Sequence, residues 1–305
     1  MKRNTWILIA LLVILVIFTL LVLQQPGEYS TTGSTGRKLV DYDSAAVNKM
    51  EIFSSNGHVV LEKDGDTWNL TSPIKYRVTE YMATHALGSG RNIELKSLVS
   101  SNPSKQDLFQ VDSSGTLVKF YEKGTEKAAV RLGKATTSFT ETYVRAEGSD
   151  DVYIADGMLA SVYDRKPKEW RDKAIYHTSK ESITDVRLHY GDTTVTVMFK
   201  DSLWTVDGDS IGEPTSFLAA LSKFDTEDFI DTTLANLPML SASIEVNGAV
   251  LNFYFTRDTN KYYVQNSQSP QWFSVPLWKA KQVLKRKDDF FVKPRTPVPP
   301  KNKGV

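Results

Sequence analysis

The chain has 305 residues, of which 41% are hydrophobic and 24% are charged, and its formal net charge at pH 7 is +1. These are the values of an ordinary folded protein, and so small a net charge offers no field for a polyanion, which excludes nucleic acid as the expected partner. The chain contains no cysteine, so disulfides, thiolate metal sites and a cysteine nucleophile are excluded as well.

The N-terminal segment has the composition of a membrane anchor. Residues 6–23 are apolar except for Thr19, and Lys2 and Arg3 precede them. A helix of that length rises about 27 Å, close to the roughly 30 Å hydrocarbon core of a bilayer. We therefore predict a cytoplasmic stub and transmembrane anchor at residues 1–23, embedded in the lipid bilayer of the cell membrane, with the bulk of the chain extracytoplasmic. A signal peptide cut in the following linker is the alternative, and it would leave the same part outside.

Two terminal segments have the composition of extended, unpacked chain. Residues 24–39 are predicted to form a flexible linker, because Pro, Gly, Ser and Thr dominate up to Arg37. Residues 294–305 form a predicted Pro-rich tail, since four prolines within it cannot continue a helix. The residues between them suffice for one large domain or for two modest ones, each with its own core.

An internal duplication organises this central part. When the segment that starts at Val47 is aligned without a gap to the segment that starts at Ile183, the apolar positions of the two segments coincide, and Trp68 matches Trp204. Both copies alternate apolar and polar residues and contain tight turns such as Asn56-Gly57, a pattern typical of a three-stranded antiparallel meander. The other aligned pairs are Met50 with Val186, Ile52 with Leu188, Val59 with Val195, Leu61 with Val197 and Leu70 with Val206.

Each meander is followed by a predicted helix, a hairpin and a second helix. The first helices are predicted at Thr79–Leu87 and Pro214–Phe224. The hairpins align at a second constant spacing, and Ser274 is the predicted N-cap of the last helix. The hairpin pairs are 142–145 with 262–265 and 152–154 with 272–274.

The predicted fold class is therefore α+β. After the N-terminal single transmembrane helix, we expect two tandem, similar subdomains of antiparallel meander sheet packed with helices. Their predicted bounds are residues 40–176 and 181–293.

Several short motifs between about Val47 and Ile230 resemble a known family. They are Trp68-Asn69-Leu70 with Pro73, Leu132-Gly133, Tyr143-Val144-Arg145, Val152-Tyr153 and Trp170-Arg171-Asp172-Lys173. Together these motifs resemble the bacterial membrane-anchored proteins of the domain-of-unknown-function 4340 family. The resemblance implies a repeated α+β ectodomain, often encoded beside a gliding-motility-type ABC export system and its auxiliary ectodomain protein. It implies a membrane-protein partner, an ABC permease or that auxiliary ectodomain, and it assigns no reaction.

A direct search for chemistry finds little. The four histidines lack metal-site spacing, and no zinc-protease, Walker-type or nucleophile-elbow motif occurs. Four carboxylates follow a predicted helix and could bind a cation or work as an acid–base pair, although a helix end and its loop explain them equally well. They are Asp225, Glu227, Asp228 and Asp231. We expect no catalytic residues, no metal and no cofactor.

Two groups of residues are predicted to bind a partner. Aromatic and arginine side chains near the end of the first copy suit an interface or a sugar ring, and a basic stretch near the C-terminus suits an acidic surface. The predicted partner-binding residues are Tyr143, Arg145, Tyr163, Arg171, Lys281, Lys285 and Arg286. The leading hypothesis is a non-catalytic, membrane-anchored auxiliary or binding subunit of an ABC-type export system. The alternatives are a free-standing envelope scaffold or polysaccharide-binding protein, and a carboxylate-dependent hydrolase.

Overall fold

The computed structural model describes Leu12 and residues 36–232, 234, 236–256 and 260–291. The chain divides into two compact units between Asp172 and Lys173. Each unit contains one nine-stranded antiparallel sheet with its own apolar core.

The first unit is built on a sheet with the strand order β4-β3-β2-β1-β6-β7-β8-β9-β5. The meander β1–β4 and the meander β6–β9 form one continuous sheet, because β1 pairs antiparallel with β6. The strands are β1 Lys49–Ser54, β2 Gly57–Asp64, β3 Thr67–Ser72, β4 Tyr76–Arg77, β5 Leu95–Ser100, β6 Thr116–Glu122, β7 Thr125–Ala135, β8 Glu141–Ala146 and β9 Val152–Asp156.

Alternation along these strands defines an inner and an outer face. In β1, Met50 and Ile52 are fully buried, while Glu51 between them lies on the other face. Successive side chains of a strand point to opposite faces, so one face of the sheet is apolar and forms the core. Trp68 is part of this core and is only 2% exposed.

Helix α1, Glu80–Arg91, covers the inner face of the first sheet. Its N-cap is Thr79, whose side chain accepts a hydrogen bond from the backbone N–H of Met82. Ala83, Ala86 and Leu87 form its buried stripe. The shorter helices α2 Leu159–Tyr163 and α3 Pro167–Trp170 follow the last strand of this unit, and 3-10 turns Pro103–Lys105 and Asp107–Phe109 lie between β5 and β6.

The second unit repeats this topology with the strand order β14-β13-β12-β11-β17-β18-β19-β20-β16. Its large sheet contains β11 Asp185–Tyr190, β12 Thr193–Lys200, β13 Leu203–Val206, β14 Asp209–Ile211, β16 Asp228–Ile230, β17 Leu240–Val246, β18 Ala249–Thr256, β19 Lys261–Asn266 and β20 Trp272–Pro276. A small sheet pairs β10 Ala174–His177 with β15 Lys223–Asp225. Helices α4 Thr215–Ser222 and α5 Leu277–Val283 belong to the same unit, as do 3-10 turns Lys180–Ser182 and Lys287–Phe290.

The correspondence between the two sheets is strand by strand. β1–β4 correspond to β11–β14, β6–β9 correspond to β17–β20, and edge strand β5 corresponds to β16. Residues that the duplication aligned, such as Ile52 and Leu188, lie on corresponding strands and are both fully buried. The match of Trp68 with Trp204 is looser, because Trp204 is partly exposed and packs at the edge of its core.

The structure corrects the predicted fold class. Antiparallel strands dominate both units, and their helices are short, so the described part of the chain is mainly β rather than α+β. The sequence suggested separate meanders and hairpins, but the pairing of β1 with β6 and of β11 with β17 fuses them into nine-stranded sheets. Ser274 lies within β20 and is not an N-cap, since α5 begins after Pro276.

The predicted membrane span and the single-pass localisation are corrected as well. Among the residues that the structure describes, no helix has both the length and the apolar character needed to cross a membrane. The predicted anchor at residues 6–23 lies outside the described residues except for Leu12, as do most of the predicted linker and the Pro-rich tail.

Candidate binding face of the second unit

The outer face of the first sheet is largely a network of ion pairs. Lys49 Nζ lies 2.6 Å from Glu51 Oε1, and Lys119 Nζ lies 2.9 Å from Glu126 Oε2. Tyr121 donates a hydrogen bond to Glu51 Oε2 at 3.1 Å. Burial of the phenol, together with this contact, raises the pKa of Tyr121. Burial opposes ionisation of Glu51, but the hydrogen bonds from Lys49 and Tyr121 outweigh it and lower the pKa of that carboxyl. Such a charged and internally paired surface is typical of a solvated sheet face.

Part of the same outer face is covered by the connector between β5 and β6, residues 101–115. The ring of Phe109 lies 4.9 Å from the ring of Tyr143 on β8. Arg145 Nε donates to the carbonyl oxygen of Val111 at 3.0 Å, and Arg131 Nη1 donates to the carbonyl oxygen of Asp112 at 2.8 Å. The connector is therefore held by one ring contact and by two guanidinium groups that bind its backbone.

Gly133 on β7 makes this close approach possible. A Cβ at this position would collide with the carbonyl oxygen of Phe109 and would lie 2.8 Å from Val111 Cγ1. As a result, Val111 and Val152 are completely buried although neither belongs to the inner core. The first unit thus covers this part of its outer face with a segment of its own chain.

The second unit carries a different set of side chains at the corresponding positions. By the alignment of the hairpins, Tyr263 stands in place of Tyr143, Gln265 in place of Arg145 and Trp272 in place of Val152. Gln265 pairs across the ladder with both Asn252 and Trp272, and Tyr254 pairs with Tyr263. We call these five residues, Asn252, Tyr254, Tyr263, Gln265 and Trp272, the aromatic face.

The aromatic face is open and formally uncharged. All five side chains are partly exposed, whereas Arg145 and Val152 of the first unit are buried. The rings of Tyr254 and Trp272 approach to 5.3 Å at an angle of 55°. They therefore form a tilted pair above β19 rather than a flat platform.

An apolar rim borders the aromatic face. Leu240 is the cross-strand neighbour of Tyr254 and is 49% exposed, and Met239 just before it is 88% exposed. One charged side chain, the exposed Lys261, lies next to Tyr263 along this face of β19, and farther charged groups lie on other strands, where His189 Nε2 is 3.2 Å from Glu245 Oε1. Aromatic and apolar side chains with few charges are the composition of the centre of a protein interface.

The structure places the first group of predicted partner-binding residues mostly inside the first unit. Tyr163 is fully buried and donates a hydrogen bond to the carbonyl oxygen of Ala86 in α1, and burial raises its pKa. Arg171 is 2% exposed, with its guanidinium carbon 4.1 Å from the centre of the Tyr76 ring. Together with Arg145 and Tyr143 beneath the connector, these residues have structural roles.

The second group lies at the C-terminal end of the described chain. Lys281 is exposed on α5, and Lys285 and Arg286 follow the helix. The guanidinium carbon of Arg286 lies 3.6 Å from the centre of the Tyr190 ring, and Tyr190 donates to the carbonyl oxygen of Lys285 at 2.9 Å. Lys285 and Arg286 therefore fasten this segment to the second sheet, while Lys281 remains a surface cation.

Two of the four carboxylates of the hydrolase alternative contact different basic side chains. Asp225 Oδ1 lies 2.6 Å from His177 Nε2, and Glu227 Oε1 lies 2.9 Å from Lys279 Nζ. Both carboxylates are about half exposed. Among the described residues, no group of three or more histidine or acidic side chains is placed to hold a metal ion.

Sequence reasoning missed the aromatic face as a unit. Tyr263, Gln265 and Trp272 were all aligned in the duplication, and period-two alternation would have put Tyr263 and Gln265 on one face of β19. Asn252 and Tyr254 come from a strand that the sequence did not single out. The sequence also did not show that the equivalent face of the first unit is covered, because this depends on the path of the connector.

Residues 68–241 match the family model described as domain of unknown function (DUF4340). The chain belongs to this family. In this DUF4340 protein the matched segment includes the covered face of the first unit and ends in β17. All five residues of the aromatic face therefore lie beyond the matched segment. Neither the curated proteins nor the solved structures contain a significant match to the chain.

Proposed function

We propose that this DUF4340 protein is a non-catalytic binding subunit that holds a partner protein on the aromatic face of its second unit. The observation that carries the proposal is the contrast between two equivalent surfaces. In the first unit Arg145 and Val152 are buried at this surface, whereas in the second unit Gln265 and Trp272, at the equivalent positions, are partly exposed. Partly exposed Trp and Tyr beside an apolar rim are the residues that contribute most to the affinity of protein interfaces.

The chemistry of the face favours binding over catalysis. Its side chains are phenols, an indole and two amides, so it lacks a carboxylate or imidazole that could move a proton near neutral pH. Asp225 and Glu227, two of the acid–base candidates in the sequence, each face a basic side chain rather than another acid. This distribution supports recognition as the proposed activity.

The proposed partner is a component of an ABC-type export system, either its permease or an auxiliary ectodomain. The family resemblance supports this choice, because proteins with these motifs are often encoded beside an ABC-type export system. A polysaccharide is the second candidate ligand, since rings beside amide groups such as Gln265 also suit a sugar.

Photo-crosslinking in cells tests the proposed function. A benzophenone amino acid replaces Tyr263, and the matched control carries it at Met198 on β12, on the same outer face but outside the aromatic face. We expect a discrete crosslinked protein, identified by mass spectrometry as an export component, from position 263 and not from position 198. Trp272→Ala in the same background should lower the crosslinked fraction about tenfold, the loss typical of an interface hot spot.

Equal crosslinking at the two positions, or a yield that Trp272→Ala does not change, would contradict the proposal. A crosslinked species that disappears on treatment with glycosidases would instead favour the polysaccharide.

A further inference from the structure

The covered face of the first unit shows what kind of chain this surface can hold. There the occupant is the connector 101–115, an irregular segment that contains two short 3-10 turns and lies across β7 and β8. It presents an aromatic ring to Tyr143 and two backbone carbonyl oxygens to arginine side chains. The occupant is thus recognised by one ring and by its main chain.

The aromatic face retains both kinds of contact. Tyr263 occupies the position of Tyr143 and offers the ring. Asn252 and Gln265 form a cross-strand pair, as Arg131 and Arg145 do, and each amide can donate to a carbonyl oxygen. Replacement of guanidinium by amide keeps the donors and removes the charge, so the ligand does not need to be acidic.

Two further differences shape the occupant. Trp272 replaces the small Val152 and enlarges the ring surface. In the second unit, Tyr254 pairs with Tyr263. At the matching place in the first unit, Gly133 lies beside Tyr143 and lets Phe109 reach the sheet backbone. The occupant of the second face must therefore rest on side-chain rings, one layer farther from the sheet than the connector does in the first unit.

From these contacts we infer that the aromatic face binds a peptide segment of its partner that carries an aromatic residue. The aromatic side chain packs on Tyr263 and Trp272, and main-chain carbonyl oxygens accept hydrogen bonds from the amides of Asn252 and Gln265. This inference rests on the proposed function and deepens it by naming the partner's chemistry. The C-terminal residues 292–305 contain no Phe, Tyr or Trp, so the chain's own tail does not meet the aromatic requirement.

The probe is a synthetic peptide with the sequence of residues 101–112 of this chain, labelled at its N-terminus with a fluorophore. Its binding to the full-length protein is measured by fluorescence anisotropy. We expect saturable binding that weakens at least about tenfold when Phe109 in the peptide is replaced by Ala, or when the protein carries Trp272→Ala. Gln265→Ala should weaken it several-fold, and Met198→Ala should leave it unchanged. Because the face has no formal charge, added salt should change the affinity little.

The location of the bound peptide is tested with a photoreactive phenylalanine at the position of Phe109. Crosslinks to the protein within residues 254–272 would support the inference, and crosslinks to β8 would overturn it, since the peptide would then be displacing the connector of the first unit. Binding seen only with a chain that ends at Phe291 would also overturn it, because the tail would then occupy the face. So would binding of a soluble N-acetylglucosamine oligomer without binding of the peptide.

Failure of this inference can be told from failure of the proposed function. If the peptide does not bind but the photo-crosslink from position 263 persists in cells, the partner docks by other contacts and only the peptide inference falls. If both signals are absent, the aromatic face is not the binding surface.

Discussion

Two glycines in helix α1 are expected to respond oppositely to the same substitution. Gly88 and Gly90 are separated by one residue, and both have ordinary negative φ angles. An added Cβ at Gly88 meets nothing within 4 Å, so Gly88→Ala should stabilise the first unit by about 0.5–1 kcal/mol through the helix propensity of alanine.

At Gly90 the same methyl group has no room. It would collide with Phe120 Cζ and would lie 2.7 Å from the Tyr42 hydroxyl oxygen and 2.9 Å from that of Tyr163. Tyr42 donates a hydrogen bond to the carbonyl oxygen of Leu87 and stacks on Phe120 at 4.5 Å, so neither ring can retreat freely. Overpacking costs about 1–3 kcal/mol, and after the propensity gain we expect a net loss of about 1–2 kcal/mol for Gly90→Ala.

Thermal unfolding of the full chain, followed by circular dichroism, measures both variants. A change of about 1 kcal/mol corresponds to about 2–4 °C for a unit of this size, so the two midpoints should move apart by roughly 3–12 °C, with Gly88→Ala above the wild type. Midpoints that shift equally, or a Gly90→Ala variant as stable as Gly88→Ala, would refute the packing argument.

Three further substitutions test the difference in burial between the copies and the titration of Tyr190 in the second unit. Trp68→Ala should cost about 3–5 kcal/mol because Trp68 is buried, whereas Trp204→Ala should cost only about 1–2 kcal/mol because Trp204 is partly exposed; urea unfolding measures both, and equal costs would contradict the difference in burial. Burial raises the pKa of Tyr190 to about 12, from an ordinary value of 10. Between pH 10 and pH 12 the native state therefore binds more protons than the unfolded state. The free energy of unfolding that the protonated Tyr190 hydroxyl contributes is complete below pH 10 and is lost as the pH rises towards 12. Tyr190→Phe should therefore make the stability of the second unit fall less steeply across that range, and an unchanged slope would show that Tyr190 does not titrate there.

The placement of α1 shows how far local sequence signals reach. The helix expected at Thr79–Leu87 is present with Thr79 as its N-cap, because a capping side chain and an apolar stripe are both encoded within a few residues. The predicted N-cap at Ser274 was wrong for the opposite reason. Ser274 is held in β20 by pairing with Tyr263 and with Asp228, residues that are distant in sequence.

The partner-binding residues show the same limit. Tyr143, Arg145, Tyr163 and Arg171 have the side chains of an interface, and composition alone suggested that they would face a partner. Arg145 instead binds the backbone of the connector, and Tyr163 binds a helix carbonyl. Whether an arginine or tyrosine faces solvent depends on which segment folds over it, and one sequence does not report that.

The sequence by itself determined the duplication, the alternating strands and the tight turns, because each depends on neighbouring residues and on the two-residue period of a strand. Tertiary structure decided that β1 joins β6 and that β11 joins β17, since pairing between distant strands leaves no local pattern. It also decided how each of two equivalent faces is covered. The connector of the first unit reaches its sheet at Gly133 and buries Arg145 and Val152, whereas Tyr254 occupies the matching place in the second unit, where the uncharged aromatic face is partly exposed.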